Sequence, residues 1–229
     1  NSGLGENEFL LRTSADEGKS WSAPQKVTGR KGTLSVVNNA RVIRLKSGRI
    51  VLPVSRHESR NGKLEPAGDI LCVYSDDEGA TWTEGAAARA YGPDGKRVTT
   101  QEPGVVELKD GRLMVFARTN AGAQWAGYSS DGGGTIGPFA PTPLEGPLGP
   151  ATLRRLKTGE LVAIWNDHTG HRELGGKRTP LTIALSRDEG KTWTDRKVLE
   201  DAPTGFYCYT AFLEDGDDWL LAYCVATRK

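Results

Sequence analysis

Short apolar stretches separated by polar turns run along the whole chain. Residues 113–117 and 161–165 are two such stretches, and a turn that carries glycine precedes each of them. Stretches of this length, rich in aliphatic and β-branched residues, are typical of strands joined as hairpins. No apolar pattern with the helical period continues beyond about two turns. The pattern therefore predicts an all-β protein built from antiparallel strands.

One polar motif, which we call the Asp box, occurs four times. It reads Ser-x-Asp-x-Gly-x-Ser/Thr-Trp at residues 14–21, 75–82 and 186–193, and a fourth copy at 129–136 ends on Ile136. Its aspartates, Asp16, Asp77, Asp131 and Asp188, are 61, 54 and 57 residues apart. A second motif, Leu-Lys-x-Gly, alternates with the box at 45–48, 108–111 and 156–159, with a looser copy at 213–216. The chain therefore repeats a unit of two hairpins.

A repeating four-stranded antiparallel unit of this length is typical of a β-propeller blade. The length of 229 residues holds about four such units. We therefore expect residues 1–229 to form one partial propeller domain, with about four blades of a larger ring. In each Asp box we expect the aspartate to accept backbone N–H bonds, the glycine to adopt positive φ, and the tryptophan to pack the turn onto its blade.

Charge and composition exclude several classes of partner. Lys and Arg number 30 against 29 Asp and Glu, which leaves a net charge of +1 and no reason to expect nucleic acid. The longest apolar run, residues 219–226, is too short to cross a bilayer. The three cysteines cannot form a disulfide framework, and we expect them to be small buried hydrophobes. His168 and His171 have no third ligand nearby in sequence, so no metal site is predicted.

The boxes and the segments between them resemble the sialidase (neuraminidase) family of six-bladed, Asp-box β-propellers. The segment from Glu102 to Arg118 resembles the family stretch that carries a glutamate and then an arginine. The segment from Arg178 into the last box resembles the stretch with a further arginine, and the segment around Tyr209 resembles that of the tyrosine nucleophile. The order Glu, Arg, Arg, Tyr matches the family.

The resemblance implies an exo-α-sialidase-like retaining glycoside hydrolase that uses no metal or organic cofactor. Tyr209 would be the nucleophile, Glu102 its base, and Arg118 and Arg178 a clamp for the sugar carboxylate. Guanidinium groups bind carboxylates bidentately and remain charged, and a neutral tyrosine avoids the repulsion that a carboxylate nucleophile would meet at an anionic sugar. Tyr207 competes for the nucleophile role, since a shift of two residues keeps the same strand face.

Further residues are candidates for binding the arms of the sugar. Asn166, Asp167 and His168 follow a blade strand shortly before Arg178, and Gln124, with Trp125, follows Arg118. Gln101 is a weaker candidate.

The chain departs from the family pattern in two places. The family's first clamp arginine and its acid/base aspartate precede the first box, where this chain has only Arg12 as a candidate. The segment around Arg41 looks similar to that site but lies between the first two boxes, so it resembles the second blade. Tyr223 and Cys224 stand where the family has a carboxylate.

The substrate class implied is a sialylated or other acidic glycan. Two alternatives remain open, a carbohydrate-binding propeller without catalysis and a hydrolase or lyase of another acidic sugar. The substrate class slightly favours a secreted or periplasmic location, and the sequence leaves the oligomeric state open.

Overall fold

The computed structural model describes residues 7–28, 33–60 and 63–227. In chain order its strands are β1 (Phe9–Leu11), β2 (Gln25–Thr28), β3 (Thr33–Val36), β4 (Ile43–Arg44), β5 (Ile50–Arg60), β6 (Lys63–Leu64), β7 (Asp69–Ser75), β8 (Thr83–Glu84), β9 (Thr100–Glu107), β10 (Leu113–Thr119), β11 (Ala123–Ser129), β12 (Ala140–Glu145), β13 (Thr152–Arg155), β14 (Leu161–Asn166), β15 (Leu181–Ser186), β16 (Thr194–Glu200), β17 (Gly205–Asp215) and β18 (Asp218–Thr227). One 3₁₀ turn covers Arg172–Leu174. The described residues contain no α-helix, so the all-β prediction is confirmed.

The strands form successive antiparallel blades. Blade II is ordered β3-β5-β7-β8, blade III β9-β10-β11-β12 and blade IV β13-β14-β15-β16. Blade I contributes only the hairpin β1-β2, and blade V only the hairpin β17-β18. Three whole blades and two half-blades thus give the predicted content of about four. The inner strands β9, β13 and β17 contact one another in sequence order, and the sheets do not close into a ring within the described ranges.

The core lies between the blades because the central strands are buried on both faces. Along β10, Leu113, Val115 and Ala117 pack between blades II and III. The alternate residues, Met114 and Phe116, pack between blades III and IV. Side chains alternate across a strand, so a strand covered on both faces reads as a continuous apolar run. This burial explains the uninterrupted runs in the sequence.

The Asp boxes are turns closed by their own side chains. In the last box, Asp188 Oδ1 accepts from the Thr192 N–H at 2.8 Å, and Asp188 Oδ2 accepts from the Thr192 hydroxyl at 2.7 Å. Ser186 Oγ donates to Asp188 at 2.8 Å and accepts from the Gly190 N–H at 2.8 Å. Gly190 has φ +83°, a backbone conformation open to glycine at no steric cost.

The same bonds recur in the other three boxes, and they lower the pKa of each box aspartate to about 2. The predicted role of the box tryptophan differs between copies. Trp193 is buried in the core between blades III and IV, whereas Trp21 is 59% exposed.

The Leu-Lys-x-Gly turns join neighbouring blades. In each turn the backbone N–H of the second residue donates to a glutamate of the following blade. The bonds run from Lys46 to Glu107, from Lys109 to Glu189 and from Lys157 to Glu214, at 2.8–2.9 Å. The second sequence repeat therefore marks contacts between blades as well as hairpin turns.

The cysteines only partly follow the prediction. Cys72 and Cys208 are buried, but Cys224 is exposed on β18. The expectation of a third buried cysteine was wrong, because within the described residues no further blade packs on that face of the β17-β18 hairpin.

Candidate functional site

Two β-bulges on inner strands define the candidate site. In blade III, Phe116 pairs with Gly104 but Arg118 pairs with Gln101, so β9 carries one extra residue. In blade V, Cys208 pairs with Cys224 and Ala211 with Ala222, so β17 also carries one. Glu102 and Tyr209 lie in these bulges.

Both residues have positive φ, +48° for Glu102 and +56° for Tyr209. Positive φ is uncommon and costly for residues other than glycine. A bulge bends its strand and redirects a side chain. Glu102 and Tyr209 are 107 positions apart in sequence, and the two bulges bring their side chains together.

Glu102 lies between the tyrosine and an arginine. The Tyr209 hydroxyl donates to Glu102 Oε1 at 3.1 Å, and Arg118 Nη1 lies 2.9 Å from Glu102 Oε2. The Arg118–Glu102 contact is a close ion pair without hydrogen-bond alignment, because neither atom has a hydrogen-bond partner among the described residues. Their side chains are only 13% and 12% exposed, whereas Tyr209 is 36% exposed. The phenol of Tyr209 therefore faces solvent, and the Glu102 carboxylate lies behind it.

Two arginines converge on this pair. Burial lowers the pKa of Arg118, and the charge of Arg178 lowers it further, while Glu102 acts in the opposite direction. Arg118 donates to Gln101 Oε1 at 2.7 Å, which leaves Nε and Nη1 without hydrogen-bond partners among the described residues. Arg178 donates to the Leu148 carbonyl at 3.1 Å, and its guanidinium lies 4.7 Å from the centre of the Phe206 ring. Two neighbouring cations with spare donors suit a carboxylate ligand.

The backbone of the Tyr209 bulge is anchored from two other blades. Asn39, between β3 and β4, donates to the carbonyls of Tyr209 and Thr210 at 3.2 and 3.3 Å. Thr152 on β13 donates to the Thr210 carbonyl at 2.8 Å and accepts from the Thr210 hydroxyl at 2.7 Å. Sequence reasoning missed Asn39 and Thr152, since neither belongs to a repeat or is adjacent to a predicted site residue.

The competing tyrosine, Tyr207, lies elsewhere. It is 4% exposed and packs against Ile164, Leu181 and the edge of the Tyr223 ring. The bulge after Cys208 separates the two tyrosines, because it breaks the alternation that would otherwise keep residues two apart on one face.

The remaining sugar-binding candidates are buried or paired with protein groups. Gln124 and Asn166 are 2% and 3% exposed. Gln124 donates to the Gly149 carbonyl at 2.8 Å, and Asn166 donates to the Tyr207 carbonyl at 3.3 Å. Trp125 is also buried. The structure therefore does not bring these side chains onto the open face beside Tyr209.

Asp167 and His168 hold the loop that leads to Arg178. Asp167 forms an ion pair with Arg196 at 2.8 Å, and the His168 ring lies 3.3 Å from the Thr179 carbonyl. Burial lowers the pKa of His168, which favours its neutral form. Gln101 links Arg118 to the Pro66 carbonyl, so it helps to hold the Arg118 side chain in place.

Arg41 and Tyr223, two positions at which the sequence differs from the family pattern, contact other protein groups. Arg41 is 5% exposed, donates to the Ala151 carbonyl at 2.8 Å and lies beside the Phe116 ring. Burial lowers the pKa of Arg41 to about 10, with the Arg154 charge acting in the same direction. Tyr223 donates to Glu200 at 2.6 Å. Among the described residues no cluster of histidine, cysteine and carboxylate side chains could hold a metal ion, and no helix is long and apolar enough to cross a membrane.

Comparisons with known proteins agree with this architecture. The family model of the BNR repeat-like domain matches residues 2–221. A sialidase of Micromonospora viridifaciens is 32% identical over 169 residues, which are 68% of this chain and 24% of that protein. An anhydrosialidase of Macrobdella decora is 27% identical over 237 residues, covering 94% of this chain and 29% of that protein.

A solved structure has the same fold. The structure of a Hadza microbial sialidase superposes with a TM-score of 0.69 at 23% identity, over 88% of this chain and 39% of that one. The chain thus spans well under half the length of these relatives. With Asp boxes, four-stranded antiparallel blades and a family model that covers nearly its whole length, the chain belongs to the BNR repeat-like family of sialidase β-propellers.

Proposed function

We propose that this chain carries the nucleophile half of an exo-α-sialidase-like active site, in which Tyr209 attacks the anomeric carbon of a terminal sialic acid. The observation that carries the proposal is the Tyr209–Glu102 hydrogen bond of 3.1 Å beside two converging arginines. A general base must be within hydrogen-bond reach of the proton it accepts, and Glu102 meets this condition.

The arginines would set the orientation of the sugar. Arg118 and Arg178 would bind the carboxylate on the anomeric carbon, which fixes that carbon in front of the Tyr209 oxygen. Binding the carboxylate would also relieve the repulsion between two partly desolvated guanidinium groups. A neutral phenol can approach such an anionic centre without the repulsion that a second carboxylate would meet.

The reaction would proceed by two displacements with net retention. In the first, the Tyr209 oxygen forms a bond to the anomeric carbon, the phenol proton passes to Glu102, and the bond to the leaving group breaks. In the second, water attacks the same carbon and gives up a proton to solvent or to a base outside these residues. The proton held by Glu102 returns to the phenol oxygen as the Tyr209–sugar bond breaks. The proton donor to a poor leaving group would come from outside these residues, since the resemblance places it on a segment that this chain does not match.

The buried candidates receive a supporting role in this proposal. Gln124 and Asn166 would hold the Gly149 and Tyr207 backbones, and Asp167 and His168 would hold the loop before Arg178. Each would affect the reaction through the position of the clamp and the nucleophile.

The test is the release of 4-methylumbelliferone from its sialic acid glycoside, measured with the purified chain and with the longest natural polypeptide that contains it. The aryl group leaves readily, so this substrate depends little on a proton donor. Release from the sialoside, with none from the matching glucuronide, would support the proposal.

Two other results would favour the alternatives. Sialic acid binding by calorimetry without release of the aryl group, in both proteins, would favour a carbohydrate-binding propeller. Release from the glucuronide alone would move the function to another acidic sugar.

A further inference from the structure

A loop of blade II lies against the strand that carries Glu102. Residues 65–68 connect β6 to β7 and contact the first two residues of β9. The Gly68 N–H donates to the Thr100 carbonyl at 2.9 Å, and the Thr100 hydroxyl donates to the Gly68 carbonyl at 2.7 Å. The end of the loop is therefore fastened to the strand on which the candidate site begins.

Gln101, the next residue of β9, connects this loop to Arg118. Its Nε2 donates to the Pro66 carbonyl at 2.9 Å, and its Oε1 accepts from Arg118 Nη2 at 2.7 Å. A carbonyl can only accept and a guanidinium can only donate, so these two partners fix which way the Gln101 amide faces. The place of the Arg118 guanidinium thus depends on where the loop presents the Pro66 carbonyl.

His57 on β5 holds the loop from the other side. Its Nδ1 lies 2.9 Å from the Glu65 carbonyl, and its Nε2 lies 3.1 Å from the Ser55 hydroxyl. Because a carbonyl has no proton to give, Nδ1 carries the ring hydrogen, and in the neutral ring Nε2 accepts from Ser55. Burial lowers the pKa of His57 against the opposing effect of the Glu65 bond, which favours the neutral ring.

The His57 ring is also fixed by packing. It is 3% exposed, and Ser55 beside it is fully buried. Gly68 lies so close to the ring that a Cβ atom there would be 2.9 Å from His57 Cε1 and Nε2. Carbon atoms pack best at about 3.5–4.0 Å, so a glycine is needed to leave room for the ring. Since ring and loop fit this closely, a displacement of one moves the other.

We propose that His57 is a positioning residue for Arg118, acting through this loop and Gln101. The binding of a sugar carboxylate by Arg118 rests on the proposed function, whereas the dependence of Arg118 on His57 is a property of blades II and III alone. A misplacement of about 1 Å, even from a change far from the reacting atoms, can cost about 10²-fold in rate. His57 therefore affects the reaction without touching the sugar.

The test compares two amide substitutions of His57. In His57→Asn the amide nitrogen can take the place of Nδ1 and keep the bond to the Glu65 carbonyl. In His57→Gln the amide reaches the place of Nε2 near Ser55, and the Glu65 carbonyl loses its donor. Both side chains are polar and neutral, and Gln fills more of the ring's space. A role in packing alone therefore predicts that His57→Gln is the milder change.

Heteronuclear NMR of the nitrogen-labelled chain reports on the network without any substrate. We expect the side-chain amide signals of Gln101 and the Nε–H signal of Arg118 to move in His57→Gln and to stay in place in His57→Asn. Unmoved signals in a folded His57→Gln, or equal shifts in both variants, would overturn the proposal. In the wild type we expect a slowly exchanging Nδ1–H signal, and a neutral ring that carries its hydrogen on Nε2 would overturn the proposal even if neither variant folds.

Turnover of the aryl sialoside shows what the arrangement does for the site. In His57→Gln we expect kcat/KM to fall by about tenfold, mainly through KM, within the 10²-fold that a small misplacement can cost. Gln101→Leu should cause the same fall, and adding His57→Gln to it should cause no further change. Independent effects in the double variant would overturn the route through Gln101. A wild type without turnover would contradict the proposed function, and the spectra would still decide the role of His57.

Discussion

The Asp-box turns and the Tyr209–Glu102 site belong to the same propeller but are held together in different ways. Each box is closed by hydrogen bonds between residues at most four positions apart, which hold its glycine and the residue before it, a glutamate in three of the four boxes, at positive φ. The site joins residues 107 positions apart, and its two positive-φ residues lie in strand bulges on different blades. The polar groups of each box therefore find their hydrogen-bond partners within the box, whereas the Tyr209–Glu102 contact forms only because the blades pack together.

The Asp-box turns are thus stable by their own contacts, whereas Glu102 and Tyr209 depend on contacts with other blades. Backbone strain at residues other than glycine persists only where the surroundings hold it. The contacts of Asn39 and Thr152 with the Tyr209–Thr210 backbone supply that support.

The largest expected effect separates the two tyrosines of β17. In Tyr209→Phe we expect turnover of the aryl sialoside to fall by at least about 100-fold, because the proposed nucleophilic oxygen is removed. Tyr207→Phe is the matched control, because Tyr207 is buried and its ring packing is kept. Equal losses in the two variants, at equal melting temperatures, would contradict the assignment.

The next largest effect concerns the base. Glu102→Gln keeps the size of the side chain and an acceptor for the Tyr209 hydroxyl but removes the ability to take its proton. General-base catalysis contributes about 10²–10⁴-fold, so kcat should fall within that range while the fold is retained. A normal kcat in this variant, measured on the aryl sialoside, would exclude Glu102 as the base.

A smaller effect tests the anchoring of the bulge. Thr152→Val keeps the side-chain shape, leaves the buried Thr210 hydroxyl without its acceptor and leaves the Thr210 carbonyl with Asn39 alone. An unsatisfied buried polar group typically costs about 1–3 kcal/mol. We expect a lower midpoint in urea and weaker turnover. Thr182→Val is the matched control, because Thr182 is equally buried and its hydroxyl has no hydrogen-bond partner among the described residues. If both variants unfold at the wild-type midpoint, Thr152 does not support the site.

The smallest effect is expected in a box. The pKa of Asp188 is lowered to about 2 by its bonds to Thr192 and Ser186. A carboxyl with a lowered folded-state pKa stabilises the fold above its unfolded pKa of about 4, and this contribution is lost as pH falls towards about 2. Asp188→Asn should therefore melt lower than wild type at pH 7, and the gap should close on acidification. A gap that stays constant from pH 7 to pH 2 would show that the carboxylate charge has no part in the box.

The sequence predicted the parts that are local and missed those that are not. Short apolar runs bounded by glycine turns, together with the box spacing, were sufficient to predict all-β blades, and the structure and comparisons confirm them. The bulges could not be read in advance, because neither Glu102-Pro103 nor Tyr209-Thr210 has the glycine that usually marks positive φ. For the same reason the sequence alone could not show which of Tyr207 and Tyr209 contacts Glu102.

Three candidate sugar-binding residues share one structural feature. Gln124, Asn166 and His168 are polar and lie near Arg118 or Arg178 in sequence, which favoured a prediction of ligand contact. In the structure they satisfy backbone groups in the interior. A buried polar group usually finds a partner in the protein, so nearness along the chain was a weak guide to which side chains face the open site.

The central claim, that Tyr209 is the nucleophile, is tested most directly by covalent capture with a 2,3-difluorosialic acid. Fluoride leaves without a proton donor, so the reagent probes this half of the site alone, and the fluorine next to the anomeric carbon slows release of the product. Tandem mass spectrometry of the digested chain should find the fluorosialyl group on the oxygen of Tyr209, with no adduct in Tyr209→Phe. An adduct on Tyr207 or on a carboxylate, or no adduct on a folded chain that binds sialic acid, would contradict the account.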